Sequence, residues 1–99
     1  MKKIFTTAMI LIFLVLSNTA NAQWVQTNGP FGGTINSLVV SGTNIFAGTF
    51  GGGVFLSTDN GSNWTAVNNG LTNTDVRSLL VSGTNIFAGT LGWWGVFIK

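Results

Sequence analysis

From Ile35 onward the chain alternates between short runs of apolar and β-branched residues and short clusters of Gly, Asn, Ser and Asp. Ile35 to Val40 reads as a first strand, closed by Ser41-Gly42-Thr43, and Asn44 to Phe50 as a second, closed by Gly51 to Gly53. Val54 to Thr58 follows as a third, closed by Asp59-Asn60-Gly61-Ser62-Asn63, and Trp64 to Val67 as a fourth. Val, Ile, Phe, Trp and Thr suit a pleated, half-buried surface, whereas Gly, Asn and Asp supply the backbone conformations and local hydrogen bonds of turns. The first two strands carry apolar residues on successive positions, which suits strands covered on both faces. The fourth is the most polar and suits an outer edge. No window beyond Ala22 places apolar residues at helical spacing, so no helix is expected there.

The pattern occurs twice. Ser37 to Thr49 (SLVVSGTNIFAGT) returns at Ser78 to Thr90 (SLLVSGTNIFAGT) with one change, Val39 to Leu80, which sets a period of 41. Ile35 pairs with Val76, and Gly53 to Ser57 (GVFLS) pairs with Gly95 to Lys99 (GVFIK) one position later. The extra residue lies in Gly92-Trp93-Trp94, which stands where Gly51-Gly52 stood. Trp24-Val25-Gln26 echoes Trp64-Thr65-Ala66 at a spacing of 40.

Four antiparallel strands in a unit of about 40 to 45 residues is the pattern of a β-propeller blade. The expected fold class is therefore all-β, with one complete and one incomplete blade. The divisions are a leader at 1–22, an outer strand of a preceding or partner blade with its connection at 23–34, blade 1 at 35–75 and blade 2 at 76–99. Two hairpins of a β-sandwich would give the same strand spacing, but near-identity at a fixed period favours a repeat array. A ring takes about four to eight blades. Either a longer protein supplies the rest, or several copies close a ring, with Trp24 to Thr27 lending a fourth strand to another copy's last blade.

The leader at 1–22 stands apart from this pattern. Lys2 and Lys3 precede a nearly unbroken apolar run from Ile4 to Leu16, and Ala20-Asn21-Ala22 ends the polar stretch that follows. That order is a secretory signal peptide cut after Ala22. A membrane-spanning helix needs about 20 apolar residues, so no insertion is expected after the cut. The destination is the periplasm, the outer membrane or the outside of a bacterial cell.

Removing the leader takes both of its lysines, and the net charge falls from +2 to zero. The charged residues left are Asp59, Asp75, Arg77 and Lys99. Nucleic acid and anionic membranes are gripped by clustered Lys and Arg, and these residues form no cluster. The chain has no Cys, so disulfides contribute nothing to the short mature segment that follows Ala22. Its stability has to come from sheet packing or from further repeats.

Ser57-Thr58-Asp59-Asn60-Gly61-Ser62-Asn63-Trp64 fits the pattern Ser-x-Asp-x-Gly-x-x-Trp. Asp59 can accept hydrogen bonds from the amides of its own turn, and Gly61 permits a positive φ. Trp64 can fold its ring over the turn, and Ser57 can add a hydroxyl bond. The motif resembles the Asp-box, or BNR repeat, of sialidase-like β-propellers. Residues 24 to 99, with the wording FAGTFGGGVFLSTDNGSNWTAVNNGL, resemble secreted bacterial relatives of photosystem II assembly factors. The resemblance implies a peripheral, structural box on a fold that hosts many roles. A calcium loop through Asp59, Gly61 and Asn63 is the sharper alternative, but calcium wants about six to eight oxygens and more than one carboxylate. No metal and no cofactor is expected.

Sialidase chemistry needs several arginines, a Tyr nucleophile with a Glu partner, and an acid. The chain has one Arg and no Tyr, Glu, His or Cys, so it is not expected to be an enzyme. Two classes remain beside a remnant of such a glycosidase. A protein-interaction or assembly scaffold, meeting a protein partner or other copies of itself, suits repeats without a distinguishing polar cluster. A glycan-binding module would use Trp93 and Trp94 in their loop, with Asp75 and Arg77 as further contact residues. The plainer role for the tryptophans is packing between blades, and for Asp75 and Arg77 a local ion pair.

Overall fold

The computed structural model describes residues 22–92 and 95–99, which form seven strands in two antiparallel sheets and, among the described residues, no helix. In the first sheet β1 (Ile35–Ser41), β2 (Asn44–Thr49), β3 (Gly53–Ser57) and β4 (Thr65–Ala66) lie side by side in chain order. In the second, β5 (Val76–Ser82), β6 (Asn85–Thr90) and β7 (Val96–Ile98) do the same. The repeat extends to the register. Ser41 pairs with Asn44 across one hairpin and Ser82 with Asn85 across the other, and both sheets carry an irregularity after their first residue, at Ile35/Ser37 and Val76/Ser78.

The expected leader falls almost wholly outside the described residues, as do Trp93 and Trp94. The expected strands of the first unit all form, the fourth in shortened form. Trp64 leaves the ladder to bond within the turn, while the Val67 amide still donates to Val54 O at 2.8 Å. One position on, a side chain replaces the backbone: the Val54 amide donates to Asn68 Oδ1 at 2.7 Å. The outer strand expected at Trp24 to Thr27 is not formed. This segment is exposed, and a single parallel bridge joins Asn28 to Asn63. A strand needs an edge to pair with, and among the described residues this segment finds no more than that one bridge.

Alternation within the strands gives each sheet two faces. On the front of the first sheet Val39, Phe46 and Leu56 oppose one another in a row, with Gly48 and Val54 in the next. The back of the second sheet presents Leu79, Ala88 and Phe97 in one row and Val81 with Ile86 in another. This front meets this back. Phe46, Val54, Val76, Ile86 and Ala88 are buried between them, with Val39, Leu56, Leu79, Val81 and Phe97 packed around. Each fully buried large apolar side chain contributes about 1.5–3 kcal/mol.

The first strands come closest at Gly48, where a Cβ would lie 2.7 Å from Val76 Cγ1. Only glycine fits at that distance. Two hydrogen bonds tie the same edge together. Asn36 Nδ2 donates to Val76 O at 2.7 Å, and the Leu79 amide donates to Ser37 Oγ at 3.1 Å.

Candidate functional site

The turn between β3 and β4 gathers the side chains that the sequence pattern singled out. Ser57 ends β3 fully buried, and its hydroxyl works in both directions. Oγ accepts the Gly61 amide at 2.7 Å and donates to Asp59 Oδ1 at 2.9 Å. Oδ1 also accepts the Asn63 amide at 2.8 Å, and Oδ2 accepts Asn63 Nδ2 at 2.9 Å. Gly61 has φ 90°, a conformation open to glycine and costly for a residue with a Cβ. Trp64 Nε1 donates to Gly61 O at 3.1 Å, which pins the half-buried indole across the turn.

The electrostatics follow from these bonds. The Asn63 amide, then the Asn63 side chain, then the Ser57 hydroxyl stabilise the ionised form of Asp59 and hold its carboxyl below the ordinary aspartate value of 3.8. Both carboxylate oxygens are engaged by donors of the turn itself. Among the described residues no group of three or more His, Cys, Asp or Glu side chains could hold a metal ion. As built, the turn is a closed hydrogen-bond circuit that locks the β3–β4 connection.

Asp75 and Arg77 lie at the start of the second sheet, joined to each other. Arg77 Nε and Nη2 each donate at 3.0 Å to one oxygen of the Asp75 carboxylate, a two-pronged ion pair. The guanidinium also sits 5.5 Å from the centre of the Phe50 ring, on the neighbouring sheet. The backbone around Asp75 joins the two units. Phe50 and Asp75 form an antiparallel bridge, the Gly51 and Gly53 amides both donate to Thr74 O, and the Leu91 amide donates to Asp75 O. Asp75 and Arg77 thus mark a seam, well separated in the chain from the Ser57–Trp64 turn.

Two asparagines carry more of this architecture than the motif assigns to them. Asn63 supplies two of the donors that hold Asp59, although the motif leaves its position open. Asn68 accepts the Val54 amide and donates from Nδ2 to Gly52 O at 2.9 Å, so it ties the end of β4 to the start of β3. The usable signal was the echo around Trp24 and Trp64, which extends to Asn28 and Asn68.

A groove of about 250 Å³ opens between the sheets, lined by Val54, Val67, Leu71, Leu79, Ile86 and Phe97 among others. Its walls are mostly apolar, and the titratable side chain on its rim is Lys99. Nothing in the sequence pattern pointed to it, because it arises where Leu71 of the connection lies against the packed faces. No protein-family model, no curated protein and no solved structure matches this chain.

Proposed function

We propose that the chain is an exported, non-catalytic β-propeller repeat segment of the Asp-box type that acts as a protein-interaction or assembly scaffold. One observation carries this reading. Two repeats of one pattern stack front to back, and their outward faces remain apolar. Such faces bind protein rather than ions or small polar substrates. The Ser57–Trp64 turn supports the Asp-box reading, since its serine, aspartate, glycine and tryptophan all engage one another in locking a blade's outer hairpin. Asp59 and the Asp75–Arg77 pair, which are committed to structural partners, leave little for catalysis to use.

The test is a photo-crosslinking residue in place of Leu80, with the exported chain irradiated in the producing cells. Crosslinks to protein are the expected result. Absence of protein crosslinks, together with glycan-array binding that Trp93→Ala and Trp94→Ala abolish, would assign the chain to glycans instead. Turnover of a fluorogenic sialoside would overturn the non-catalytic reading.

A further inference from the structure

The repeat makes a statement about the two faces left open. Every residue named on the buried front of the first sheet has a counterpart on the second. Val39, Phe46, Gly48, Val54 and Leu56 correspond to Leu80, Phe87, Gly89, Val96 and Ile98. These counterparts share the registers of the originals: Leu80 opposite Phe87, Phe87 opposite Ile98, Gly89 opposite Val96. Yet Leu80 is 62% exposed, Val96 74% and Ile98 62%.

The converse holds on the other side. Val76, Leu79 and Val81, which the second sheet turns toward the first, correspond to Ile35, Leu38 and Val40. Val76 is fully buried, while Ile35 is 40% exposed, Leu38 60% and Val40 63%. At each end of the two-sheet stack, apolar residues that match one side of the central interface are therefore exposed, although on the back of the first sheet Ala47, the counterpart of Ala88, is already buried.

We infer that the open front of the second sheet docks on the open back of the first sheet in another copy of this chain, repeating the internal interface between chains. The match is specific. Ile35 of the incoming copy would approach Gly89 as Val76 approaches Gly48. The Leu38 amide would reach Ser78 Oγ as the Leu79 amide reaches Ser37 Oγ. At the contact edge the units differ in kind at one position, where Asn36 is replaced by Arg77, held by Asp75. The apolar rows themselves carry no ionisable side chain, and the charge at the contact edge, Arg77, is already paired with Asp75.

Such an interface is heterologous: a front binds a back, not another front. Repetition closes a ring if the rotation per step allows and otherwise extends a filament. The inference deepens the scaffold reading and rests on it, by naming the partner as a second copy.

Heterologous docking has a signature that a two-fold dimer lacks. The full chain, expressed from Met1 and purified in the form that the cell delivers, is sized by light scattering across a broad concentration range. Assembly to at least twice the mass of one chain is expected. Leu38→Lys spoils the back of the first sheet, and Leu80→Lys spoils the front of the second. Both positions are exposed in the single chain, so both variants should fold, with circular dichroism as the check; Val40→Lys and Ile98→Lys serve if either does not. Each variant alone should be monomeric, and a mixture of the two should form a one-to-one dimer through the surviving front and back.

A monomeric wild-type chain would overturn the inference. So would variants that assemble like the wild type, or a mixture that stays monomeric. If the wild type is monomeric while position 80 crosslinks to other proteins in cells, the scaffold reading stands and the second-copy inference alone fails. If crosslinks to protein are absent as well, both fail.

Discussion

Ser57 holds its turn from within. Its side chain is buried, and its oxygen is the acceptor for the amide of Gly61, also buried. Ser57→Ala would leave that N–H without its partner and release Asp59 Oδ1 from a donor. A buried donor left unpaired costs about 1–3 kcal/mol, and chemical denaturation of the variant should show a loss of that size. Asp59 adds a dependence on acid. Its folded value lies below 3.8 because the ionised form accepts the hydrogen bonds from Asn63 and Ser57. The stabilisation is therefore full above the unfolded value, near about 4, and disappears as pH falls through the folded value. The melting temperature should stay level from about pH 7 to about pH 5 and then drop below about pH 4. Asp59→Asn should drop less over the same range. Equal drops in both proteins would place the acid sensitivity elsewhere.

At the scale of strands, the same glycine serves two surroundings. A Cβ on Gly48 would meet Val76 Cγ1 at 2.7 Å across the packed sheets, whereas one on Gly89 would meet the Ser78 Oγ of its own sheet at the same distance. Ser78 is exposed and can turn away, but Val76 is wedged in the core. In a Leu38→Lys background, which keeps copies apart, Gly48→Ala should cost about 1–3 kcal/mol, as overpacking does. Gly89→Ala should cost clearly less; equal losses in thermal melts would mean that the front-to-back contact is not what excludes a side chain at Gly48. The Asp75–Arg77 pair is a weaker seam. Arg77 is about half exposed, at 49%, so Arg77→Ala should lower stability by no more than about 1 kcal/mol, read from the denaturation midpoint.

Strand identity was legible in the sequence because period-2 packing and glycine-marked turns act locally. The first three strands emerged within a position of their expected bounds, and the motif from Ser57 to Trp64 closed on itself as its residue types required. The stacking of the sheets was only half legible. The repeat at a period of 41 announced two like sheets, but which face of which sheet met the other depends on where the connection through Leu71 and Thr74 carries the chain. The segment around Trp24 shows the opposite case. Its strand-like sequence is plain, yet a strand forms only against an edge, and pairing is not a local property.

The whole molecule is held by faces rather than by charge. Beyond Ala22 its charged side chains are Asp59, Asp75, Arg77 and Lys99, and the first three are held in hydrogen bonds or ion pairs within their own connections. Contact between copies through Leu80, Val96 and Ile98 on one side and Ile35, Leu38 and Val40 on the other removes mainly apolar surface from water, and the charge at its edge, Arg77, is already paired with Asp75. Salt screens exposed charges over a Debye length of about 10 Å at about 0.1 M and has little to screen at such a contact. The midpoint of assembly, measured by light scattering over a dilution series, should therefore hold steady between about 50 mM and about 500 mM sodium chloride. Sodium sulfate, which strengthens apolar burial, should shift it toward lower protein concentration. Dissociation by added sodium chloride would instead mean that charged groups such as Arg77 or Lys99 hold the copies together, and the matching apolar rows would then not be the source of their affinity.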